Sequence, residues 1–219
     1  MDISKYEYYR TENGVLYHGD CLEILPHLEP VDLVLTDPPY GMMFQSNYRK
    51  DKHDKIIGDD FYPVEAVNII KEKAKSASYF FCRWDNLIQM PKPKSVLVWV
   101  KNNWSMGDLK HEHGRQWEAI CFYPAANHSF TKRIPDVLIC PRTGNNNHPT
   151  EKPVGLFSQI IEANICGTVL DPFIGSGTTA VACERLGRKW IGIELEEKYC
   201  EIAAKRIEAE NRQLKIPGC

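Results

Sequence analysis

The sequence TVLDPFIGSG at residues 168–177 decides the fold. It begins with an apolar run that predicts a strand over 168–171, and it continues into a glycine loop. Helical spacing follows over 178–186, and a second apolar run predicts a strand over 189–194. This order forms a β-α-β unit, which joins two parallel strands and indicates an α/β protein.

The glycine loop of this unit is suited to a nucleoside-containing cofactor. Glycines let a ligand approach the backbone, and the helix that follows offers free N–H groups. Glu194 ends the next strand, where its carboxylate can accept hydrogen bonds from two ribose hydroxyls. Tight packing of the helix on the strand, with Glu194 as a surface residue, is the simpler alternative.

Two other cofactors can be weighed for this loop. A nucleoside triphosphate is disfavoured, because the loop lacks the Gly-Lys-Ser/Thr of a phosphate-binding loop. A nicotinamide dinucleotide is compatible with Gly175-x-Gly177-x-x-Ala180, which satisfies the relaxed dinucleotide fingerprint. Asp171 and a second acidic loop favour S-adenosylmethionine instead, since that molecule carries a positive sulfonium and no phosphates.

The second acidic loop has the sequence TDPPYG at residues 36–41 and follows an apolar run at 31–35. The exocyclic amine of a base is a weak nucleophile, because its lone pair is delocalised into the ring. The carboxylate of Asp37 and the carbonyl of Pro38 can each accept one amine hydrogen and so localise that lone pair. Two prolines stiffen the loop, and Tyr40 offers a flat face for stacking a base. An ordinary proline-rich turn after a strand is the alternative.

Apolar periodicity predicts the remaining elements. Further strands are expected at 14–18, 31–36, 78–82, 95–100 and 116–123, and further helices at 21–28, 63–75, 84–90, 153–165 and 196–210. The strands at 95–100 and 116–123 are expected to pair antiparallel, with a long tip between them.

Composition places the chain among ordinary globular proteins and predicts one domain over 1–219. The 219 residues suffice for one α/β core, and 43% of them are hydrophobic and 26% charged. No apolar run approaches the roughly 20 residues that span a bilayer, and the polar residues 1–10 do not form a signal peptide. A cytoplasmic protein without membrane contact is expected. The eight cysteines include no Cys-x-x-Cys pair, so neither a metal site nor a disulfide framework is predicted.

Charge is distributed unevenly along the chain. The formal net charge is -2, whereas residues 91–150 hold eight basic and four acidic side chains. The same segment contains three tryptophans and four of the seven histidines. A basic segment rich in aromatic residues can face a polyanion, although a solvated loop surface accounts for the charge equally well.

Five sequence blocks in a fixed order carry a resemblance to a known family. They are HGDCL at 18–22, TDPPYG at 36–41, HPTEKP at 148–153, DPFIGSGTT at 171–179 and WIGIE at 190–194. Together they resemble the amino-group DNA methyltransferases of the permuted β type, in which the Asp-Pro-Pro-Tyr block precedes the cofactor block. With the elements above, the resemblance implies a doubly wound, mostly parallel, seven-stranded Rossmann-like methyltransferase sheet with one antiparallel hairpin at its edge.

The resemblance also implies a role for each matching residue. S-adenosylmethionine would donate a methyl group to a target base that has left the DNA duplex. The catalytic loop would consist of Asp37, Pro38, Pro39 and Tyr40. The residues expected to bind the cofactor are Asp20, Cys21, Thr150, Lys152, Asp171, Phe173, Gly175, Ser176, Gly177, Thr178 and Glu194. Within this set, Asp20 would take the adenine amine, Glu194 the ribose, and Thr150 with Lys152 the methionine end.

The family resemblance also narrows the reaction. Asp rather than Ser opens the Pro-Pro-Tyr block, a family preference that points to N6 of adenine, with N4 of cytosine or an RNA base as alternatives. Attack by a cysteine on cytosine is not supported, because the chain contains no Pro-Cys dipeptide. Direct in-line transfer to the amine is therefore expected, with the rate coming from positioning and electrostatics.

One departure from the family concerns sequence recognition. Larger members insert a target-recognition domain before the HPTEKP block, whereas this chain has room only at about 125–147. Loops at 41–60, 101–115 and 125–147 are therefore candidates for DNA contact. Specificity would be short, loop-borne, or shared with the second subunit of a homodimer.

Overall fold

The computed structural model describes residues 2–40, 63–105, 110–111, 113–144 and 151–215. The strands are β1 (Glu7–Arg10), β2 (Gly14–His18), β3 (Val31–Thr36), β4 (Ala74–Cys82), β5 (Ser95–Ser105), β6 (Arg115–Pro124), β7 (Val137–Ile139), β8 (Thr168–Asp171) and β9 (Lys189–Glu194). The α-helices are α1 (Cys21–Ile24), α2 (Val64–Glu72), α3 (Val154–Ala163), α4 (Thr178–Leu186) and α5 (Glu197–Leu214). None of these described helices is long and apolar enough to cross a membrane.

These strands form one sheet in the order β1-β2-β9-β8-β3-β4-β6-β5-β7. The run from β2 to β4 is parallel throughout. Strands β5 and β6 form the predicted antiparallel hairpin, and β6 also pairs antiparallel with β4. The doubly wound, mostly parallel α/β sheet is therefore confirmed.

The predicted count of seven strands is wrong, because β1 and β7 extend the sheet at its two edges. Both are short, and β7 exposes Val137 and Ile139 while burying Leu138, so neither strand has a long apolar run. As a result the hairpin is not the outermost pair, since β7 lies beyond β5.

Two predicted helices also differ from the structure. Residues 84–90 form a series of turns instead of a helix, with bonds such as that from the Asn86 amide to the Arg83 carbonyl. Prolines follow at 91 and 93 and disfavour helical conformation before them. Helix α2 ends at Glu72, and β4 begins at Ala74, inside the helix predicted over 63–75.

Helices cover both faces of the sheet. One buried cluster contains Leu35 and Phe81 together with apolar side chains from α3, α4 and α5. The opposite cluster contains Val34 and Phe80 together with side chains from α1 and α2. Because neighbouring residues of one strand serve different faces, the central strands are continuous apolar runs, as expected for a covered parallel sheet.

The winding of the chain reverses between β8 and β3. Helix α2 follows β3 and leads to β4 along one face, whereas α4 follows β8 and leads to β9 along the other face. The two connections therefore diverge and leave a crevice at the carboxyl ends of β3 and β8. Ligands bind at such a position in open α/β sheets.

Candidate active site

Three acidic residues lie at the carboxyl ends of three adjacent strands. Asp37 follows β3, Asp171 ends β8 and Glu194 ends β9. All three line one pocket of about 300 Å³. The other predicted site residues that line it are Asp20, Cys21, Pro38, Pro39, Tyr40, Lys152, Phe173, Gly175, Ser176 and Thr178. The fold thus brings both predicted loops to one pocket, although Gly177 does not line it and Thr150 lies outside the described residues.

Asp37 is held from two sides within this pocket. The hydroxyl of Tyr40 donates a hydrogen bond of 2.6 Å to Asp37 Oδ1, and the ammonium of Lys152 forms an ion pair with Asp37 Oδ2. Burial raises the pKa of Asp37, while the charge of Lys152 opposes that rise. Burial and the neighbouring carboxylates raise the pKa of Tyr40 well above 10, so its hydroxyl remains a hydrogen-bond donor.

Glu118 is a member of this site that sequence reasoning missed. It lies on β6, and its carboxylate lies 3.0 Å from the Tyr40 hydroxyl, whose single hydrogen it shares with Asp37. The same carboxylate pairs with Lys152 at 3.2 Å and with Lys101 at 2.5 Å. Although burial alone would raise its pKa, the two ammonium groups lower the pKa of Glu118 to about 2. The signal in the sequence is a lone acid that directly precedes the apolar run of a strand, at residues 119–122.

Lys152 contacts the catalytic loop directly. Its Nζ reaches Asp37, Glu118 and the hydroxyl of Tyr40, the last at 3.3 Å, and its side chain is 5% exposed. Although burial opposes it, the two carboxylates raise the pKa of Lys152, so the ammonium stays charged. Contact of Lys152 with the methionine end of the cofactor stays a prediction.

Asp171 ties the glycine loop to the catalytic strand. Its Oδ1 accepts hydrogen bonds from the Thr36 hydroxyl at 2.5 Å and from the Phe173 amide at 3.1 Å. Its Oδ2 accepts a hydrogen bond from the hydroxyl of Thr179 on α4. Burial raises the pKa of Asp171 to about 6. This carboxylate therefore fixes the relative position of β3, the loop and α4.

Glu194 lines the same pocket from the end of β9. Its two oxygens accept backbone hydrogen bonds from Gly175 at 2.9 Å and from Glu196 at 2.8 Å. Each carboxylate oxygen has a further lone pair, so hydroxyls of a ribose can also be accepted. Burial raises the pKa of Glu194 to about 7.

The segment after β2 lines the same pocket. The carboxylate of Asp20 accepts the Leu22 amide at 2.8 Å and caps α1, which fixes it at the pocket. Burial raises the pKa of Cys21 to about 12, so its thiol is not a nucleophile at neutral pH. The Gly19 amide donates to the backbone carbonyl of Glu194 at 2.9 Å and joins this segment to β9.

The glycine loop is anchored from behind. Gly177 caps α4 with a φ of 86°, and a Cβ there would lie 3.0 Å from the Cβ of Ala203 on α5. Both the backbone conformation and the close approach therefore require glycine. Arg206 donates to the Ser176 carbonyl at 2.6 Å and to its hydroxyl at 2.8 Å. Gly177 thus acts from outside the pocket by permitting this packing.

The described residues fit a cationic nucleoside cofactor. Acidic side chains at Asp20, Asp171 and Glu194 surround the pocket, and Phe173 and Ile174 give it an apolar wall. Within the described part of the chain, no cluster of His, Cys, Asp and Glu is arranged to hold a metal ion. The acidic side chains and the apolar wall suit a positive organic ligand with hydroxyl groups.

Comparisons with known proteins agree with this site. The profile of the DNA methylase family for N6 and N4 amino groups matches residues 98–205. The chain is 32% identical to "Putative methylase YubD" of Escherichia coli (strain K12), covering 90% of this chain and 91% of that protein. It is 27% identical to DNA adenine methyltransferase YhdJ of the same organism, covering 90% and 84%. The crystal structure of the M1.HpyAVI-SAM complex matches with a TM-score of 0.68 and 26% identity, over 87% of this chain and 98% of that chain.

The fold and the site together define a Rossmann-like methyltransferase. The chain belongs to the family of DNA methylases that modify exocyclic amino groups. The predicted family is therefore confirmed.

Proposed function

We propose that this protein transfers a methyl group from S-adenosylmethionine to N6 of adenine in DNA. The cofactor is supported by the confirmed family together with the similar solved structure of the M1.HpyAVI-SAM complex. The observation that carries the proposal is that Asp37 and Glu194 line one pocket. They lie at the ends of β3 and β9, the two strands that flank β8. An amine acceptor and a ribose acceptor then line the same pocket.

Asp37 and Pro38 would hold the target amine. The Asp37 carboxylate, oriented by Tyr40 and Lys152, accepts one amine hydrogen, and the Pro38 carbonyl accepts the other. The lone pair then points away from both acceptors and toward the methyl donor. As the new N–C bond formed and the bond from the methyl carbon to sulfur broke, the cofactor would leave as its neutral thioether and the amine would carry a positive charge. The ionised Asp37 would stabilise that charge and take the released proton.

Tyr40 would hold the base flat. Its single hydroxyl hydrogen is shared between Asp37 at 2.6 Å and Glu118 at 3.0 Å, so the orientation of its ring is set before a base arrives. Stacking of a base on such a ring contributes about 1–3 kcal/mol. Because the pocket lies at the carboxyl edge of the sheet, the base has to leave the duplex to reach Asp37.

The cofactor would occupy the wall formed by β8, β9 and the segment after β2. When bound, S-adenosylmethionine supplies an electrophilic methyl group on a sulfonium. Glu194 would accept the ribose hydroxyls, Asp20 would accept the adenine amine, and Phe173 would contact the cofactor, since all three line the pocket. Asp171 keeps the glycine loop in place, and its carboxylate would add negative charge to the pocket that receives the sulfonium.

Adenine is favoured over cytosine on two grounds. Asp37 opens the Pro-Pro-Tyr block, and one relative bears the name DNA adenine methyltransferase. The matching family acts on both N6 and N4 amino groups, so N4 of cytosine is the alternative product. Transfer of tritium from labelled S-adenosylmethionine tests the substrate class, with DNA, RNA and free nucleosides offered in parallel. Label confined to DNA is expected, and label confined to RNA or nucleosides would overturn the proposal.

A further inference from the structure

The ammonium of Lys152 is fully engaged by side chains of this protein. It has three hydrogens and lies against three oxygens, which belong to Asp37, Glu118 and Tyr40. Its position is therefore set by Glu118 as well as by the catalytic loop. Glu118 lies on β6, outside both the catalytic loop and the glycine loop.

Four charged groups balance within this cluster. Asp37 and Glu118 carry the two negative charges, and Lys152 and Lys101 carry the two positive ones. Their side chains are between 5% and 16% exposed, so solvent screens them weakly. A buried charge without a partner is strongly unfavourable, and a balanced set of four is the arrangement that avoids one.

Glu118 also reaches the aromatic residue of the catalytic loop. Its Oε2 contacts both Lys152 and the Tyr40 hydroxyl, while its Oε1 contacts Lys101. Since Tyr40 and Lys152 are the two groups that orient Asp37, one carboxylate holds both of them. Lys101 lies on β5 and Glu118 on β6, so the hairpin itself supplies this support.

We propose that Glu118 is a positioning residue for methyl transfer, which holds Lys152 and Tyr40 against Asp37 while Lys101 balances its charge. This inference rests on the proposed role of Asp37. It places the support for the catalytic carboxylate on the β5-β6 hairpin, which the sequence blocks of the family do not include.

Asp37 faces charged and titratable groups from several elements. Lys152 precedes α3, Tyr40 belongs to the same loop, Glu118 lies on β6, Cys82 on β4 and Asp171 on β8. Lys101 does not pair with Asp37 itself but affects it indirectly, through its ion pair with Glu118. Removing a negative charge from this set therefore lowers the pKa of Asp37, and removing a positive charge raises it.

Two substitutions change the charge of the cluster in opposite directions. Glu118→Gln leaves it with one excess positive charge, and Lys101→Gln leaves it with one excess negative charge. The rate of single-turnover methyl transfer is measured against pH at saturating cofactor and DNA. The apparent pKa on the acidic side of this profile should fall by about one pH unit in Glu118→Gln and should rise in Lys101→Gln. The rate at the optimum should fall about 10- to 100-fold in Glu118→Gln, because Lys152 and Tyr40 lose a shared anchor.

The matched control is Glu210→Gln. Glu210 is also buried and pairs with Arg185 at 2.6 Å, but this pair joins α4 to α5. Its removal should leave the pH profile unchanged. Glu118 reaches the predicted cofactor residues only through Lys152, so calorimetric affinity for S-adenosylmethionine in wild type and Glu118→Gln separates a role of Lys152 toward the cofactor from its role toward Asp37. An equal affinity in the two proteins is expected if Lys152 serves Asp37.

The outcomes separate this inference from the proposed function. A wild-type protein that transfers no methyl group refutes the proposed function itself. An active wild type whose acidic limb is the same in Glu118→Gln and Lys101→Gln refutes the positioning role alone. A weaker cofactor affinity with an unchanged rate in Glu118→Gln also refutes it, by assigning Lys152 to the cofactor. If Glu118→Gln does not fold, Lys101→Gln carries the test, because an unshifted limb there refutes the positioning role.

Discussion

The hydroxyl of Thr36 donates a hydrogen bond of 2.5 Å to Oδ1 of Asp171, between the adjacent ends of β3 and β8. This buried contact joins the strand that delivers Asp37 to the loop that is expected to hold the cofactor. The parallel pairing of β3 with β8 brings the two distant sequence blocks together, and this side-chain hydrogen bond adds a direct link between their ends. It is therefore expected to refine the relative placement of amine and methyl donor.

Thr36→Val tests that coupling. Valine keeps the shape of threonine but leaves Asp171 Oδ1 without the hydroxyl donor, so the free energy of unfolding should fall by about 1–3 kcal/mol. The methyl-transfer rate should fall about tenfold or more, because the two halves of the site lose their register. Urea unfolding and single-turnover kinetics measure the two effects. The exposed Thr131→Val serves as a control that should change neither, and an unaltered rate in Thr36→Val would refute the coupling.

Asp37→Asn should remove the chemistry while sparing cofactor binding. The amide cannot stabilise the charge on the amine or take its proton, so the rate should fall about 10²- to 10⁴-fold. Calorimetric affinity for S-adenosylmethionine should change little, because Asp37 is assigned to the target base. A variant with wild-type turnover would remove Asp37 from the mechanism.

Lys152→Gln should destabilise the protein in a pH-dependent way. Two buried carboxylates would lose their shared ammonium, which costs about 3–5 kcal/mol of unfolding free energy near pH 8. Without Lys152, the pKa of Asp37 rises further, so the folded state binds a proton that the unfolded state does not. The loss of stability should therefore shrink as the pH is lowered toward 5.

The exposed pair Lys205–Glu201 offers the control for that experiment. Lys205→Gln removes an ammonium from a contact of the same kind on the surface of α5, where solvent screens it. Unfolding by urea at pH 5 and pH 8 should show almost no change in this variant. Equal stabilities of Lys152→Gln and wild type at pH 8 would show that the buried cluster does not hold Lys152.

Glu194 should make cofactor binding sensitive to pH near neutrality. Burial raises its pKa to about 7, so much of the free protein carries a neutral carboxyl below that pH. The ionised form is the stronger acceptor for ribose hydroxyls and attracts the sulfonium. Affinity for S-adenosylmethionine should therefore weaken below pH 7, approaching tenfold per pH unit, and level off above pH 8. Calorimetry at pH 6, 7, 8 and 9 measures this.

Glu194→Gln is the companion variant. It should bind the cofactor weakly at every pH and show no dependence between pH 6 and 8. Because the folded pKa of Glu194 is raised, its ionisation lowers stability as the pH rises through 7, so the free variant should be more stable than wild type at pH 8 and similar at pH 5. A wild-type affinity that is constant from pH 6 to 8 would contradict the role of Glu194.

The β5-β6 hairpin should contact DNA through its basic and aromatic residues. Trp104 is 66% exposed near the far end of β5, in the segment where basic residues outnumber acidic ones. Binding of DNA should weaken steeply with salt, and Trp104→Ala should weaken it at every salt concentration without altering the salt slope. Ile165→Ala removes a similarly exposed apolar side chain at the opposite edge of the sheet and should have no effect. A flat salt response would place the contact surface elsewhere.

Much of this site was predictable because its residues end clear apolar strands. Asp37, Asp171 and Glu194 each follow or close a run that is buried on both faces, and proline or glycine follows the two aspartates. Parallel strands bring such ends to one edge, so local patterns were enough. Glu118 could not be found in this way, since its partner Lys152 lies on a distant segment and only the paired sheet brings them together. The edge strands β1 and β7 were missed because short, half-exposed strands carry little periodicity.

The central claim is that this protein methylates N6 of adenine in DNA by way of Asp37. Nucleoside mass spectrometry measures it directly, on DNA incubated with purified protein and S-adenosylmethionine that carries a deuterated methyl group. The expected result is labelled N6-methyladenine with the wild type and none above background with Asp37→Asn. Label found in N4-methylcytosine or 5-methylcytosine, or no label in DNA at all, would contradict it.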